Sequence, residues 1–523
     1  MKKIFTLFSA MLMSIASFAT TYNGTLTVTV NGEVSEQPTS VSIDEVNGNY
    51  KLSINNFMLV AGETNLPVGN IVIDHVPGAV NGGLTTLCTN QEIQIPAGNV
   101  EGIAEKDWLG PLLGNVPVEM NARFTGEGYV VTDIHINMVE LGQVIDVKFE
   151  NVGTHFQMPN SDFETWSNEN KAPKHWHGFE SVTGSLSGTA NSTTKLVSSK
   201  NVRPGSKGLT SAVVTSTKVV FVIANGTMTN GRLAAGSMSA TNSANHSETN
   251  LSSTDVDANG DPFATPMYAK PDSVKFWMRF TQAKAQASYP YAAFNAVITD
   301  GTYYQDPEDK AYTNKVAVAA PNQADMKVGD WRLVACPFDY ASHAANGAEA
   351  KAILLTVSTN ATPGKGSYSN GVADSVYVDD LELVYLADIK SVSFKGATLD
   401  LTNTDIDIAD DDVISANDFV VEKIGEDAKV TTLVEANAKG YQAVISVVSG
   451  DLNTQKTLVF NFNKPVWADG DVNHDGVVDL ADVTLLINKV LGADATQLYN
   501  PDVNADGNVD VADVTTLVSL ILG

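Results

Sequence analysis

Two stretches near the C-terminal end place oxygen-bearing side chains at alternating positions: DVNHDGVVDLAD from Asp471 and DVNADGNVDVAD from Asp502, 31 residues later. A hard cation such as Ca²⁺ takes about six to eight oxygens, and a loop of about twelve residues can wrap it. Such a loop needs side-chain oxygens at its first, third, fifth, ninth and twelfth residues, a carbonyl at the seventh and glycine at the sixth. The first copy supplies Asp471, Asn473, Asp475, Gly476, the Val477 carbonyl, Asp479 and Asp482. The second supplies Asp502, Asn504, Asp506, Gly507, the Asn508 carbonyl, Asp510 and Asp513. Every position is filled twice, so two bound Ca²⁺ ions are expected here.

The chain contains its own control. DVDANGD begins equally well with Asp255, Asp257, Asn259 and Gly260, but its ninth position is Phe263 and its twelfth Pro266. That cage cannot close, and a polar turn is expected instead.

Each complete loop runs into a short apolar helix pattern, DVTLLINKVLG or DVTTLVSLILG, stopped by Gly492 or Gly523. Neither helix is long enough to persist alone in water, so Leu486, Leu491, Leu517 and Leu522 are expected to pack the pair together. Pro465, Asp469 and Gly470 leave no room for a helix ahead of the first loop. Paired loops with exit helices of this kind resemble a type I dockerin over residues 465–523. That resemblance implies a cohesin-like protein domain as partner. The partner-facing positions it implies are Leu480, Ala481, Val511 and Ala512, with Lys489 and Leu520 at matched helix positions. The first four are apolar where many dockerins carry Ser-Thr, and Lys489 is matched by Leu520 in the repeat, so the two faces are not equivalent.

At the other end, Lys2 and Lys3 precede an apolar run from Ile4 to Ile15, and Ser17-Phe18-Ala19 follows. That order reads as a secretory signal peptide over residues 1–19, removed near Ala19, and the run is too short for a membrane anchor. The expected location is extracellular or periplasmic. The formal net charge is −28, with 60 acids against 32 bases, which argues against nucleic acid and anionic membrane partners. Cys88 and Cys336 lie far apart and read as free thiols, not as a disulfide framework.

Between the two ends the patterns are those of strands, giving a mainly β, multidomain chain. Leu26, Val28 and Val30 alternate with threonines, Tyr50, Leu52 and Ile54 alternate with polar residues, and Asn31-Gly32 signals a hairpin. TYNGTLTVTVNG, NYKLSINNFML, VGNIVIDHV and MVELGQVIDVKFE together resemble the calycin-like β-barrel domain of secreted Bacteroidota proteins, over residues 20–152. Such barrels can hold an apolar ligand.

A second β region, 153–387, opens FQMPNSDFETW and closes SVYVDDLELVY, with long Ser/Thr/Asn/Gly-rich loops between short strands. Those opening and closing motifs resemble a carbohydrate-metabolism domain of Bacteroidota, a jelly roll similar to carbohydrate-binding modules. The segment 388–464 is short enough for an Ig-like β-sandwich. Its acidic cluster, Asp405 to Asp412, reads as a strand followed by a solvated turn.

Chemistry in the central region has several candidates. Glycoside hydrolysis needs two carboxylates about 5–10 Å apart. Glu164 and Asp379, Asp380 or Glu382 meet that need if the first and last strands pair. In modules like those it resembles, acids at these ends hold a structural Ca²⁺, so Glu164 and Asp379 are also candidate cation ligands. His175 and His177 could share a strand face, but no third zinc ligand is evident. Trp166, Trp176, Trp277 and Trp331 fall in this region. Trp166 and Trp176 sit in polar sequence and are the candidate sugar platforms, whereas Trp277, in VKFWMRF, is expected in the core. No G-x-S-x-G elbow, phosphate loop or H-E-x-x-H motif occurs.

The leading expectation is thus a secreted, non-catalytic, polysaccharide-associated protein. Its alternatives are a glycoside hydrolase acting through the central carboxylates and a structural surface-assembly protein.

Overall fold

A computed structural model of the chain describes residues 19–61, 64–139, 142–167, 172–192, 196–219, 222–493 and 498–523. The expected leader lies outside the described residues up to residue 18. The protein is mainly β, with two C-terminal helices, and divides into two compact units. The first comprises residues 1–391, 421–431 and 445–457, and the second 392–420, 432–444 and 458–523.

The first unit begins with nine antiparallel strands: β1 (Thr20–Val30), β2 (Glu33–Val46), β3 (Asn49–Ala61), β4 (Thr64–Val76), β5 (Gly78–Asn81), β6 (Leu84–Gln94), β7 (Asn115–Thr125), β8 (Val130–Met138) and β9 (Gln143–Glu150). They form one half-barrel sheet in the order β4-β3-β2-β1-β9-β8-β7-β6-β5. The β1–β2 register, with Val30 opposite Glu33, leaves Asn31 and Gly32 as a two-residue loop with φ of 49° and 92°. Both residues must be left-handed to match strand twist, which explains the Asn-Gly pair. Alternation then sends Leu26, Val28, Leu52, Ile73, Leu87 and Met120 to one apolar interior. Arg123 is itself buried, pairs with Asp133, and donates from Nε to Leu452 O at 2.5 Å and from Nη2 to Asn453 O at 3.1 Å.

The central region is a sandwich. One sheet runs in the order Val197–Ser199, Ser211–Thr215, Ser375–Val384, Ser273–Thr281, Gly329–Pro337. The facing sheet holds Thr227–Thr229, Ala352–Ser358, Ala293–Thr299 and Lys315–Ala319, with Thr265–Pro266 paired to Ala352–Ser358. The opening and closing segments meet: Leu381 N donates to Ser161 O at 2.9 Å, and Gln157 exchanges two hydrogen bonds with Leu383.

Strand Ser273–Thr281 shows why this core holds. Val274, Phe276, Met278 and Phe280 all point inward and are fully buried, and Phe276 stacks on Phe294 of the facing sheet at 4.2 Å. Each such side chain contributes about 1.5–3 kcal/mol by leaving water. Period-two alternation sends the odd-numbered neighbours out, so Trp277 lies on the outer face beneath the Arg203 guanidinium (5.3 Å). The core placement expected for Trp277 is corrected accordingly.

In the second unit, Asp405–Asp407 pairs in parallel with Asn461–Asn463, and the Phe394, Phe419 and Phe462 rings pack together. Past Asp407 the acidic run is a turn: Asp412 accepts from Ala409 N and pairs with Lys395. The helices Leu480–Val490 and Val511–Leu522 close the chain.

Candidate functional site

The two acidic loops fold alike, atom for atom. Asp471 Oδ1 accepts from Asp475 N at 3.2 Å and Oδ2 from Gly476 N at 2.9 Å. Asp502 does the same with Asp506 N at 3.1 Å and Gly507 N at 2.8 Å. Asn473 and Asn504 accept from the same aspartate amides, at 2.8 and 2.9 Å. The amides of Val477 and Asn508 donate to Asp475 and Asp506. Gly476 and Gly507 stand at φ of 91° and 90°, a conformation open to glycine, which explains the sixth position.

The last two acids of each loop also start its helix. Asp479 caps the first helix by accepting from Ala481 N at 2.7 Å, while Asp482 reaches back to Asp479 N at 2.9 Å. Asp510 and Asp513 repeat this capping box at 2.7 and 2.8 Å. Asp482 and Asp513 are 0% exposed, and each also accepts from the third-position amide at 3.1 Å. Amide hydrogen bonds, first from Asp510, hold the Asp513 carboxyl below the usual carboxylate range. Backbone donors thus fix each loop as a ring of acidic oxygens.

Among the described residues no three His, Cys, Asp or Glu groups are drawn together closely enough to form a metal cluster. The donor chemistry of the loops fits Ca²⁺ nonetheless. It is all oxygen, mixes carboxylate, amide and carbonyl donors, and keeps three carboxylates, Asp471, Asp482 and Asp513, buried. Asp471, Asn473, Asp475, Val477, Asp479 and Asp482 would hold one ion, and Asp502, Asn504, Asp506, Asn508, Asp510 and Asp513 the other. The ion would supply the positive charge that these acids otherwise lack.

Packing beneath the loops centres on Val472, Val483, Leu486 and Leu517. The expectation for Leu491 and Leu522 is corrected: they are 77% and 80% exposed. They instead extend a surface row Leu480, Thr484, Ile487, Leu491, repeated in the second helix by Val511, Thr515 and Leu522, while Val518 packs against the core. Leu480 (73%), Val511 (66%) and Leu520 are exposed, as are Ala481, Ala512 and Lys489. All six expected partner-facing residues are therefore accessible.

Sequence reasoning overlooked one feature of the first loop. His474, at φ 57°, is stacked between Trp467 (4.4 Å) and Tyr499 (4.0 Å), and its Nδ1 lies 3.7 Å from Asp410 Oδ2. Trp467 and Tyr499 each stand just ahead of a loop, which was the available signal; the second loop has Ala505 in the place of His474.

The central candidates part company. Trp176 is 1% exposed, tilted against the Phe163 ring, and its Nε1 donates to the carbonyls of Pro159 and Asn160. A buried ring offers no face to a sugar, so Trp176 is corrected from platform to core. Trp166 is half-buried against the same core, with Nε1 bonded to Phe163 O and Thr210 Oγ1. The outer sheet face carries Trp331, edge-on to Tyr377 at 6.2 Å, with Nε1 on Asn201.

Glu164 Oε1 accepts from the amides of Leu209 and Thr210, at 2.9 and 2.8 Å. Asp379 is fully buried, its Oδ2 accepts from Arg203 N at 3.0 Å, and its Oδ1 has no hydrogen-bond partner. Burial pushes its carboxyl up to about 6, opposed by the Arg203 amide and reinforced by Asp380, which itself pairs with Arg203. His175 and His177 meet the incomplete acidic loop: their Nδ1 atoms lie 3.5 Å from Asp261 and from Asp257, respectively. Asp257 accepts from Asn259 N and Asp261 N, making the stretch the polar turn expected.

Comparison with known proteins finds two family models along the chain. Residues 18–152 match the calycin-like beta-barrel domain, and residues 469–522 match the dockerin type I domain. No curated protein matches the chain. Among solved structures, the tandem CBM22 domain of Paenibacillus barcinonensis Xyn10C is 12% identical, covering 70% of this chain and 97% of that one, at a TM-score of 0.20. The M60 catalytic domain with its CBM51 domains from Clostridium perfringens ZmpB is 10% identical, covering 87% of this chain and 41% of that one, at 0.14. Superpositions this loose carry no argument here. The two family matches stand on their own: the chain carries a calycin-like β-barrel domain at its N-terminal end and a type I dockerin domain at its C-terminal end.

Proposed function

We propose that the chain is a secreted, non-catalytic, glycan-associated protein that its C-terminal module fastens to a cohesin-like domain when Ca²⁺ is bound. The observation that carries this reading is the repeated loop geometry at Asp471–Asp482 and Asp502–Asp513, within the dockerin match. Calcium neutralises four aspartates per loop and so sets the two exit helices. The helices then present their exposed apolar rows, about Leu480 and Val511, to the partner. A leader, removed near Ala19, directs export of the chain. Among the described residues, no helix is long and apolar enough to cross a membrane.

The remaining segments are cargo: a barrel at 20–152, a jelly roll at 153–387 and an Ig-like spacer at 388–464. Glycan binding belongs to the jelly roll. The aromatic edge of Trp331 and Tyr377, with Asn201 and Arg279 beside it, supports a stacking platform there. Glu164 and Asp379 are each held by backbone amides, so the non-catalytic reading is preferred to the hydrolase.

An array of type I cohesin domains, probed with the intact chain in calcium and in chelator, tests the docking role. Retention by at least one cohesin in calcium, lost in chelator, is expected. Equal signal in both conditions, or none in either, would show that the module does not dock in this way.

A further inference from the structure

The jelly roll contains a cavity of about 500 Å³ that the glycan reading does not use. Its walls are mainly apolar, with Phe179, Leu186, Val222, Leu233, Met238 and Phe294 among them. The volume falls in the range of small-molecule sites, roughly 300–1,000 Å³, and is too small for a folded partner.

The polar groups at its floor are largely spent on one another. Thr227 Oγ1 lies 2.9 Å from Ser358 Oγ, and Ser247 Oγ lies 2.6 Å from Thr356 Oγ1. A sugar, with a hydroxyl on almost every carbon, would leave most of them unpaired against such walls, at about 1–3 kcal/mol each. Asp306 and Asn295 also line the cavity, as does Asn225, whose Oδ1 is buried without a hydrogen-bond partner.

We propose that this cavity binds a drug-sized, mainly apolar small molecule that presents a single hydrogen-bond donor to Asp306. The apolar walls bury the body of the ligand, and Asp306 with Asn295 orients it. Burial raises the Asp306 carboxyl above its ordinary range, so the donor meets a group already adapted to an apolar setting.

N-phenyl-1-naphthylamine, neutral and apolar with one N–H, is a suitable probe for the intact chain. Its fluorescence should rise and saturate at one probe per chain. Ala293→Trp and, independently, Ala224→Phe place bulk on the cavity lining and should weaken binding roughly tenfold or more. Melting temperature and cohesin binding of each variant report whether the fold and the docking module are intact. The N-methylated probe, which lacks the donor, should bind roughly threefold weaker or worse. Absence of saturable binding, or wild-type affinity in both folded filling variants, would overturn the proposal. Displacement of the probe by xylohexaose would also overturn it, because the cavity would then be a glycan site.

Discussion

The amide of Gly476 donates to Asp471 Oδ2 across 2.9 Å, and this bond turns the loop back on its first residue. It requires a left-handed backbone at the sixth position, and any Cβ there is strained even though nothing crowds it. Gly476→Ala is therefore expected to weaken the first calcium site by about 1–2 kcal/mol, roughly five- to thirtyfold, and leave the second unchanged. Calcium titration followed calorimetrically separates the two sites; equal weakening of both would mean that the loops do not act as independent cages.

The helix pair should divide sharply by face. Leu486→Ala or Leu517→Ala removes a fully buried side chain from a small core and should cost about 2–5 kcal/mol. Leu491→Ser and Leu522→Ser, on the exposed row, should change stability by about 0.5 kcal/mol or less and yet reduce cohesin capture. Thermal melts in calcium and a capture assay on the same variants check both halves.

The loop geometry was legible in the sequence because it is local: the acids, amides and glycine that fold each loop lie in one short stretch, in fixed order. The helix core was half legible. Leu486 and Leu491 are five residues apart, about 140° around a helix, so they could not both face the partner helix. Parity would likewise have placed Trp277 outside, since Phe276 and Met278 on either side of it face the core. Trp176 was not legible. Its core joins nearby Phe163 to residues as distant as Phe276, Leu355 and Val376, and polar flanking sequence gives no sign of them.

Asp379 predicts a pH dependence of the central sandwich. Its folded value of about 6 lies above the ordinary 3.8, so the folded state holds the proton more tightly than the unfolded chain. That contribution is complete below about pH 4 and is lost as pH rises through about 6, on the order of 2 kcal/mol. The charges around it are Arg203 and Asp380. Asp379→Asn should abolish this part of the fall in melting temperature between pH 5 and pH 7.5. An unchanged slope in the variant would assign the effect elsewhere.

The tryptophans of the sandwich should separate by role. Trp176→Ala opens the core and should cost about 3–5 kcal/mol of stability. Trp331→Ala should leave the fold standing and weaken polysaccharide binding about tenfold, measured by affinity electrophoresis on a glycan panel. Retardation by no glycan in the wild type would favour a structural cargo. Sugar release that stops with Glu164→Gln or Asp379→Asn would favour a hydrolase.

Calcium stoichiometry tests the account at its centre. Calorimetric titration of the chelator-stripped intact chain should show two Ca²⁺ bound. Asp471→Ala with Asp482→Ala should leave one, and the corresponding changes at Asp502 and Asp513 should leave the other. Helical circular dichroism should rise with each ion bound, because the carboxylates that would hold the metal also cap the helices. Full helicity in chelator, or a wild-type chain that binds no calcium, would contradict the claim that these loops are metal-set docking elements.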